Sequence, residues 1–253
     1  MKGWLIFRHS FLMVWRNWFQ AVQIGLIPVA LILAVAFLVL RGSALELMAT
    51  SDPEQMGQLL LQPGFSGKLL VVWLFAVLTM LSVIVNWHRF VLLEEYPQSW
   101  IPSFHFGPVL GYLGRSIMLV IIGLLLAIPV GLVAALFMAI PVVGVVVMLG
   151  LYLLVAVAMY RVIVILPAAA IGKPIGLSEA FQATEDSTAD ILVLMLVSFG
   201  VNILFQLVVW AISLISATLG FAVSFPVSLG LALVNVSVLT TFYGHYVEGR
   251  SID

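Results

Sequence analysis

The amino-acid sequence predicts an all-α integral membrane protein: a bundle of six transmembrane helices with short interfacial amphipathic helices. Hydrophobic residues make up 64% of the 253 residues and charged residues only 8%, whereas a soluble domain is roughly a quarter charged. The chain also contains six apolar runs near the length of about 20 residues that a helix needs to cross the hydrocarbon core. Together these observations exclude a soluble globule.

The six predicted spans form a single domain covering residues 1–253. The weakest boundary lies between the third and fourth spans, where a tight turn at residues 140–144 contains Pro141 and Gly144. Without that turn the apolar run would be far too long for one crossing. The spans are predicted at about 19–40, 69–87, 116–139, 142–166, 191–214 and 221–243.

The positions of lysine and arginine predict the orientation. Only Arg41 and Lys68 fall in the loop 41–68. The other eight lie on the opposite side, at the termini, in the loops or, for Arg161, near the end of the fourth span. Cytoplasmic loops carry an excess of these residues, so we expect both termini to be cytoplasmic in a cell inner membrane. Within the outer loop, segments 44–50 and 53–61 have apolar faces typical of short interfacial helices.

Each even-numbered span ends in an aromatic residue beside a cationic or titratable one. These pairings suggest three repeated hairpins, although any helix that leaves a bilayer on the cytoplasmic side tends to end in this way. At the first two positions they also indicate contacts with lipid headgroups. The candidate headgroup contacts are Trp87, His88, Arg89, Tyr160 and Arg161. His88, Arg89, Glu94 and Glu95 fit either a lipid phosphate or a surface salt-bridge cluster, and the cluster is the preferred interpretation.

Uncharged polar residues lie at depth in the last two spans. Asn202, Gln206 and Trp210 share one face of the fifth span, and Asn235 lies near the middle of the sixth. Their simplest role is hydrogen bonding between helices. The second interpretation is a polar groove for a lipid headgroup or a small solute.

Several kinds of chemistry lack their usual residues. Cysteine is absent, so thiolate chemistry and Cys-ligated metals are excluded. His9, His88, His105 and His245 are all predicted at one membrane interface, without ligand spacing inside any span. Asp and Glu are absent from the predicted spans, where ion-coupled carriers place them. No metal, cofactor or catalytic residue is therefore expected.

The segment from Leu166 to Phe181, which reads LPAAAIGKPIGLSEAF, resembles a pattern in six-helix bacterial membrane families. These include the membrane domain attached to some glycerophosphodiester phosphodiesterases and its free-standing relatives. In this pattern a helix exits through a proline and small residues, and an amphipathic helix leads into the next span. The resemblance implies a six-helix integral domain with interfacial helices, and it supplies no reaction.

These observations favour a non-enzymatic inner-membrane protein that acts as a scaffold, assembly factor or accessory subunit of a membrane complex. Its expected partners are membrane lipids and other membrane proteins, and a net charge of −1 gives no field for nucleic acid. The alternative is a transporter or pore for lipids or small solutes that uses the polar face of the last two spans. A membrane enzyme acting on lipids is the least favoured, because no acid–base pair is placed for it.

Overall fold

A computed structural model describes residues 2–41, 53–101, 103–137 and 140–252. Every regular element within these ranges is a helix. We label the α-helices α1 to α10 in chain order, with a 3-10 turn at Glu185–Ser187 between α8 and α9. They are α1 Lys2–Arg16, α2 Trp18–Leu40, α3 Pro53–Leu61, α4 Phe65–Leu93, α5 Phe106–Phe137, α6 Pro141–Val162, α7 Ile165–Ala170, α8 Leu177–Ala183, α9 Thr188–Ile215 and α10 Ala217–Tyr246.

Six helical stretches of the described residues are long and apolar enough to cross a membrane, which confirms the predicted bundle. They are α2, α4, α5, α6 extended through α7, α9 with the turn before it, and α10. Most begin or end beyond the predicted spans: α4 starts at Phe65 and continues to Leu93, and α5 already starts at Phe106. Hydropathy marks the part of a helix that lies in lipid, whereas the hydrogen-bonded helix continues into polar sequence.

The predicted break between the third and fourth spans is confirmed from residue 140 onward, where the described residues resume. Ile140 adopts an extended conformation and Pro141 occupies the first turn of α6, where a proline needs no hydrogen-bond partner for its nitrogen. The predicted interfacial segment 53–61 is helical, and the predicted segment 44–50 lies outside the described residues. The amphipathic stretch after Gly176 forms α8, with Ala180 buried and Phe181 exposed.

The buried core lies at one end of the bundle, which we call the packed end. It comprises α1, α7, α8, the C-terminal parts of α4 and α10, and the N-terminal parts of α5 and α9. Trp87, Ile165 and Phe242 are fully buried there. Toward the other end the helices expose most of their apolar side chains, and only 6% of the most apolar window of the fourth span is buried. Such a surface requires hydrocarbon as its solvent.

Helix α1 is an element that the sequence analysis did not predict. It packs against α9 and α10, with Ile6, Phe7 and Ser10 buried. Asp190, at the start of α9, binds the first turn of α1: the Gly3 amide donates to Asp190 Oδ1 at 2.8 Å. The other carboxylate oxygen, Oδ2, accepts from the Tyr246 hydroxyl at 2.7 Å. Helix α1 therefore closes one side of the packed end.

Candidate functional site

The four residues predicted to form a polar groove are accessible at the surface of the chain. Gln206, Trp210 and Asn235 are exposed and Asn202 is half-buried. The Asn202 amide donates to the Ser198 carbonyl of its own helix at 2.7 Å. Within the described part of the chain, Gln206 and Asn235 have no hydrogen-bond partner. Hydrogen bonds between helices, their simplest predicted role, are therefore not made by these side chains in the described chain.

Asn235 lies in a stripe of small residues on α10. Ser228, Ala232 and Asn235 recur at spacings of four and three residues and are all exposed, so they share one face of the helix. Asn235 lies about 17 Å along the axis from the last residue of α10, taking the rise of about 1.5 Å per residue. An amide that needs hydrogen-bond partners is thus exposed near the middle of a membrane span.

Trp87 and His88 are not exposed to lipid headgroups, contrary to the sequence-based expectation. Both are fully buried between α4 and α10. The Trp87 indole N–H donates to Ser237 Oγ at 2.7 Å, and His88 Nδ1 lies 2.8 Å from Thr240 Oγ1. The prediction was wrong because the apolar run ends at this point, whereas α4 continues and packs against α2, α7 and α10.

The hydrogen bonds around His88 identify its tautomer. The Thr240 hydroxyl donates to the Val236 carbonyl at 2.8 Å, so it must accept from His88 Nδ1–H. His88 Nε2 is then an acceptor, and it has no partner within the described residues. The ring lies beside Tyr112, with centroids 5.8 Å apart. His88 therefore acts as a neutral donor that joins α4 to α10.

A further hydroxyl group connects α1 to the same region. Ser10 Oγ lies 2.9 Å from Thr241 Oγ1 and 2.7 Å from the Ile6 carbonyl, and all of these groups are buried. The sequence analysis missed Ser10, Ser237, Thr240 and Thr241. A sequence signal for three of them existed: Ser237, Thr240 and Thr241 lie at positions i, i+3 and i+4 of α10, which places their hydroxyls near one face of the helix.

Arg89 belongs to the ion pair that the sequence analysis preferred over a lipid phosphate. Its guanidinium binds both carboxylate oxygens of Glu95, at 2.8 and 2.6 Å, and donates to the Ala170 carbonyl at 3.2 Å. His105 Nε2 lies 3.8 Å from Glu95. Burial and the positive charge of Arg89 lower the pKa of His105, and the carboxylate of Glu95 opposes this shift only in part. His105 is therefore neutral at neutral pH.

Tyr160 and Arg161 also make contacts within the protein. The Tyr160 ring packs edge-on against Phe242, with centroids 5.3 Å apart. Arg161 donates to the Phe181 carbonyl at 2.7 Å, and its guanidinium carbon lies 3.6 Å from the centre of the Phe181 ring. Arg161 thus holds α8 against the end of α6, and its charge is already covered by an aromatic face.

The loop between α4 and α5 encloses a polar cavity of about 670 Å³. Gln23 of α2 donates to the carbonyls of Pro97 and Ser99, and Asn86 of α4 donates to that of Ser103. These bonds fix the loop against the bundle. The ionisable groups that line the cavity are Glu94, Glu95 and His105.

Two smaller cavities lie on either side of the C-terminal tail. One, of about 400 Å³, lies along α1, and the other, of about 440 Å³, reaches Thr240 and Thr241. Both cavities are lined by His9, Met13 and Ile252.

The described residues contain no cluster of three or more His, Cys, Asp or Glu side chains that would hold a metal ion. Comparison of the chain with protein-family models, curated proteins and solved structures gives no match. The resemblance of the Leu166 to Phe181 segment to the phosphodiesterase-associated membrane domain stays a prediction.

Proposed function

We propose that this multi-pass membrane protein is a non-enzymatic scaffold or accessory subunit of a membrane complex. It binds a transmembrane helix of another membrane protein along the exposed faces of α9 and α10. The observation that carries the proposal is the exposure of two unpartnered amides, Gln206 and Asn235, at depth in the spans. We further propose that the membrane is the cell inner membrane and that the packed end faces the cytoplasm, in keeping with the distribution of lysine and arginine.

The reasoning rests on what surrounds an exposed side chain in a bilayer. Lipid tails neither donate nor accept hydrogen bonds, so an amide that faces them keeps its polar groups unsatisfied. A second helix satisfies it, and small residues such as Ser228 and Ala232 allow its backbone to approach closely. The face around Asn235 therefore has the two features that favour helix association in membranes.

The alternative function, a transporter or pore, requires the polar residues to line a common cavity. The cavities described above contain none of Asn202, Gln206, Trp210 or Asn235. No observation on the structure therefore favours that alternative over the scaffold.

The test compares Asn235→Leu with Asn202→Leu, which makes the same change at a similar depth. Asn202 already bonds its own helix, so replacing it should leave the complex unchanged. Replacing Asn235 should weaken the complex by roughly 3- to 20-fold, the equivalent of about 0.6 to 1.7 kcal/mol for a hydrogen bond between membrane helices. The measurements are the amount of complex retained in mild detergent, the thermal stability of the chain, and its bound lipid.

The expected result is a loss of complex for Asn235→Leu while the isolated chain keeps its stability, because no bond within the chain is broken. Equal complex for the two variants would refute the proposal. Loss of one specific lipid or solute from Asn235→Leu, with the protein complex intact, would replace the scaffold by the lipid- or solute-handling alternative.

A further inference from the structure

The outer face of α1 carries cations without partners. Arg8 and Arg16 are both exposed, and in the described chain no carboxylate forms a salt bridge with either. Arg89 and Arg250, in contrast, each bind a glutamate at 2.6 Å. The sequence of α1 contains no acidic residue. Two guanidinium groups are therefore available to an external anion.

The spacing of these arginines suits one ligand. They lie eight residues apart, a rise of about 12 Å along the helix, which is within the combined reach of two arginine side chains pointing toward each other. The cavity of about 400 Å³ along α1 includes both residues. Leu5, Leu12 and Ile252 line it together with the two arginines. Apolar and cationic side chains therefore share one groove.

The C-terminal tail forms the second wall of this groove, and hydrogen bonds hold the tail in place. The Arg250 amide donates to the Gly244 carbonyl at 2.8 Å, and His245 Nδ1 lies 2.9 Å from the Arg250 carbonyl. The Arg250 guanidinium donates to the Leu92 carbonyl at the end of α4, at 2.7 Å. These bonds place Ile252 over α1, so the groove is a built feature and not an open helix surface.

Exposed tryptophans mark the membrane level next to the groove. Trp15 and Trp18 are 71% and 63% exposed on either side of Arg16. Tryptophan is enriched where headgroups meet hydrocarbon, because its ring is apolar and its N–H is polar. The groove therefore opens at the depth of lipid headgroups.

We propose that the groove between α1 and the C-terminal tail binds the phosphate group of an anionic phospholipid through Arg8 and Arg16. Arginine binds phosphate oxygens through paired N–H donors, and Leu5 and Leu12 offer an apolar surface to the glycerol and the first carbons of the acyl chains. The same chemistry would accept a free phosphoester. This site is separate from the helix-binding faces of α9 and α10.

The test uses the intact chain in detergent and measures binding of short-chain phosphatidylglycerol by native mass spectrometry, with phosphatidylcholine as the neutral lipid. We expect Arg8→Gln with Arg16→Gln to weaken phosphatidylglycerol binding about 25-fold, since each arginine near an anionic surface contributes roughly five-fold. The matched control, Lys2→Gln with Lys173→Gln, removes two exposed cations that do not line the groove. It should change binding less than two-fold. Arg8→Lys with Arg16→Lys should keep part of the affinity.

Equal weakening by the groove pair and the control pair would overturn the proposal, because it would show diffuse surface attraction. Equal binding of the two lipids to the natural chain would also overturn it. Competition by glycerol phosphate decides the source of the phosphate. Displacement of the lipid at millimolar concentration assigns the groove to a soluble phosphoester, and no displacement assigns it to the membrane lipid. The circular dichroism spectrum and melting temperature show that each variant is folded, which we expect because Arg8 and Arg16 make no bond that holds the bundle.

Discussion

Replacing Gly3 with alanine tests whether α1 is part of the bundle. Gly3 is the second residue of α1, and a Cβ atom there would overlap the backbone carbonyl oxygen of Asp190 and come within 2.9 Å of Val193 Cβ. Neither group is the flexible end of a side chain, so α1 would have to move away from α9. That movement lengthens the 2.8 Å hydrogen bond from the Gly3 amide to the Asp190 carboxylate.

The expected change in the free energy of unfolding combines two unfavourable contributions and one favourable contribution. Overpacking costs about 1 to 3 kcal/mol, and a weakened hydrogen bond to a charged group costs up to roughly 1.5 to 3 kcal/mol. Alanine stabilises a helix by at most about 1 kcal/mol relative to glycine, and by less at a helix end. Since the two costs overlap, we expect a net loss of about 2 kcal/mol.

The matched control is Gly107→Ala. Gly107 is likewise the second residue of its helix, α5, and a Cβ there meets no atom within 4 Å. The assay is the reversible unfolding of each variant in detergent micelles, together with the rate at which a protease cleaves after Arg16. Gly3→Ala should unfold earlier and be cleaved faster, and Gly107→Ala should match the natural chain. Equal stability of the two variants would refute the docking of α1 against α9.

Two further predictions concern the packed end and the orientation of the chain. Ser237→Ala removes the acceptor of the buried Trp87 N–H and should lower the free energy of unfolding by about 1 to 3 kcal/mol. Ser224→Ala, whose hydroxyl makes an exposed bond, should cost far less in the same denaturation assay, and equal losses would contradict a buried hydrogen bond. Single cysteines at Gln62 and Ser251, both exposed, are unique because the natural chain has none. An impermeant maleimide should label intact cells at position 62 and not at position 251, and the reverse pattern would invert the proposed orientation.

The spans were predictable from the sequence because one physical requirement determines them. A segment that lies in hydrocarbon must be apolar over about 20 residues and must satisfy its own backbone. That requirement involves no other segment, so it can be read from each apolar run alone. The turn at Pro141 was predictable for the same reason, since a proline and a nearby glycine act locally.

The packed end was not predictable in this way, because it depends on contacts between distant segments. The Trp87–Ser237 bond joins residues 150 positions apart, and the Ser10–Thr241 bond joins residues 231 positions apart. Nothing in the sequence around Trp87 indicates that α2 and α10 lie beside it. The rule that aromatic residues at span ends contact headgroups assumed lipid or water outside the apolar run, whereas the structure places protein there.

The surface exposure of Asn235 was beyond prediction for a related reason. Helical spacing shows which residues share a face, but it does not show which face another helix covers. On α10 the hydroxyls of Ser237 and Thr240 face α4, where each has a partner. Asn235, two residues earlier, lies on a different face and is exposed. Only the packing of the helices separates these polar residues into a buried set that joins α4 to α10 and an amide that stays exposed.

This separation bears on the proposed scaffold function, because the spans themselves bury little of their surface. The buried hydroxyls, Trp87 and His88 join α1, α4 and α10 at the packed end, so the relative positions of those helices do not depend on contacts in the lipid-exposed half. In that half, lipid competes equally well for apolar side chains, and association relies on close packing and polar groups. A face with a free amide and small residues is then selective, because an ordinary apolar helix gains nothing there over lipid. In the proposed scaffold, the packed end would hold this face at a constant position and depth, as the binding of a partner helix requires.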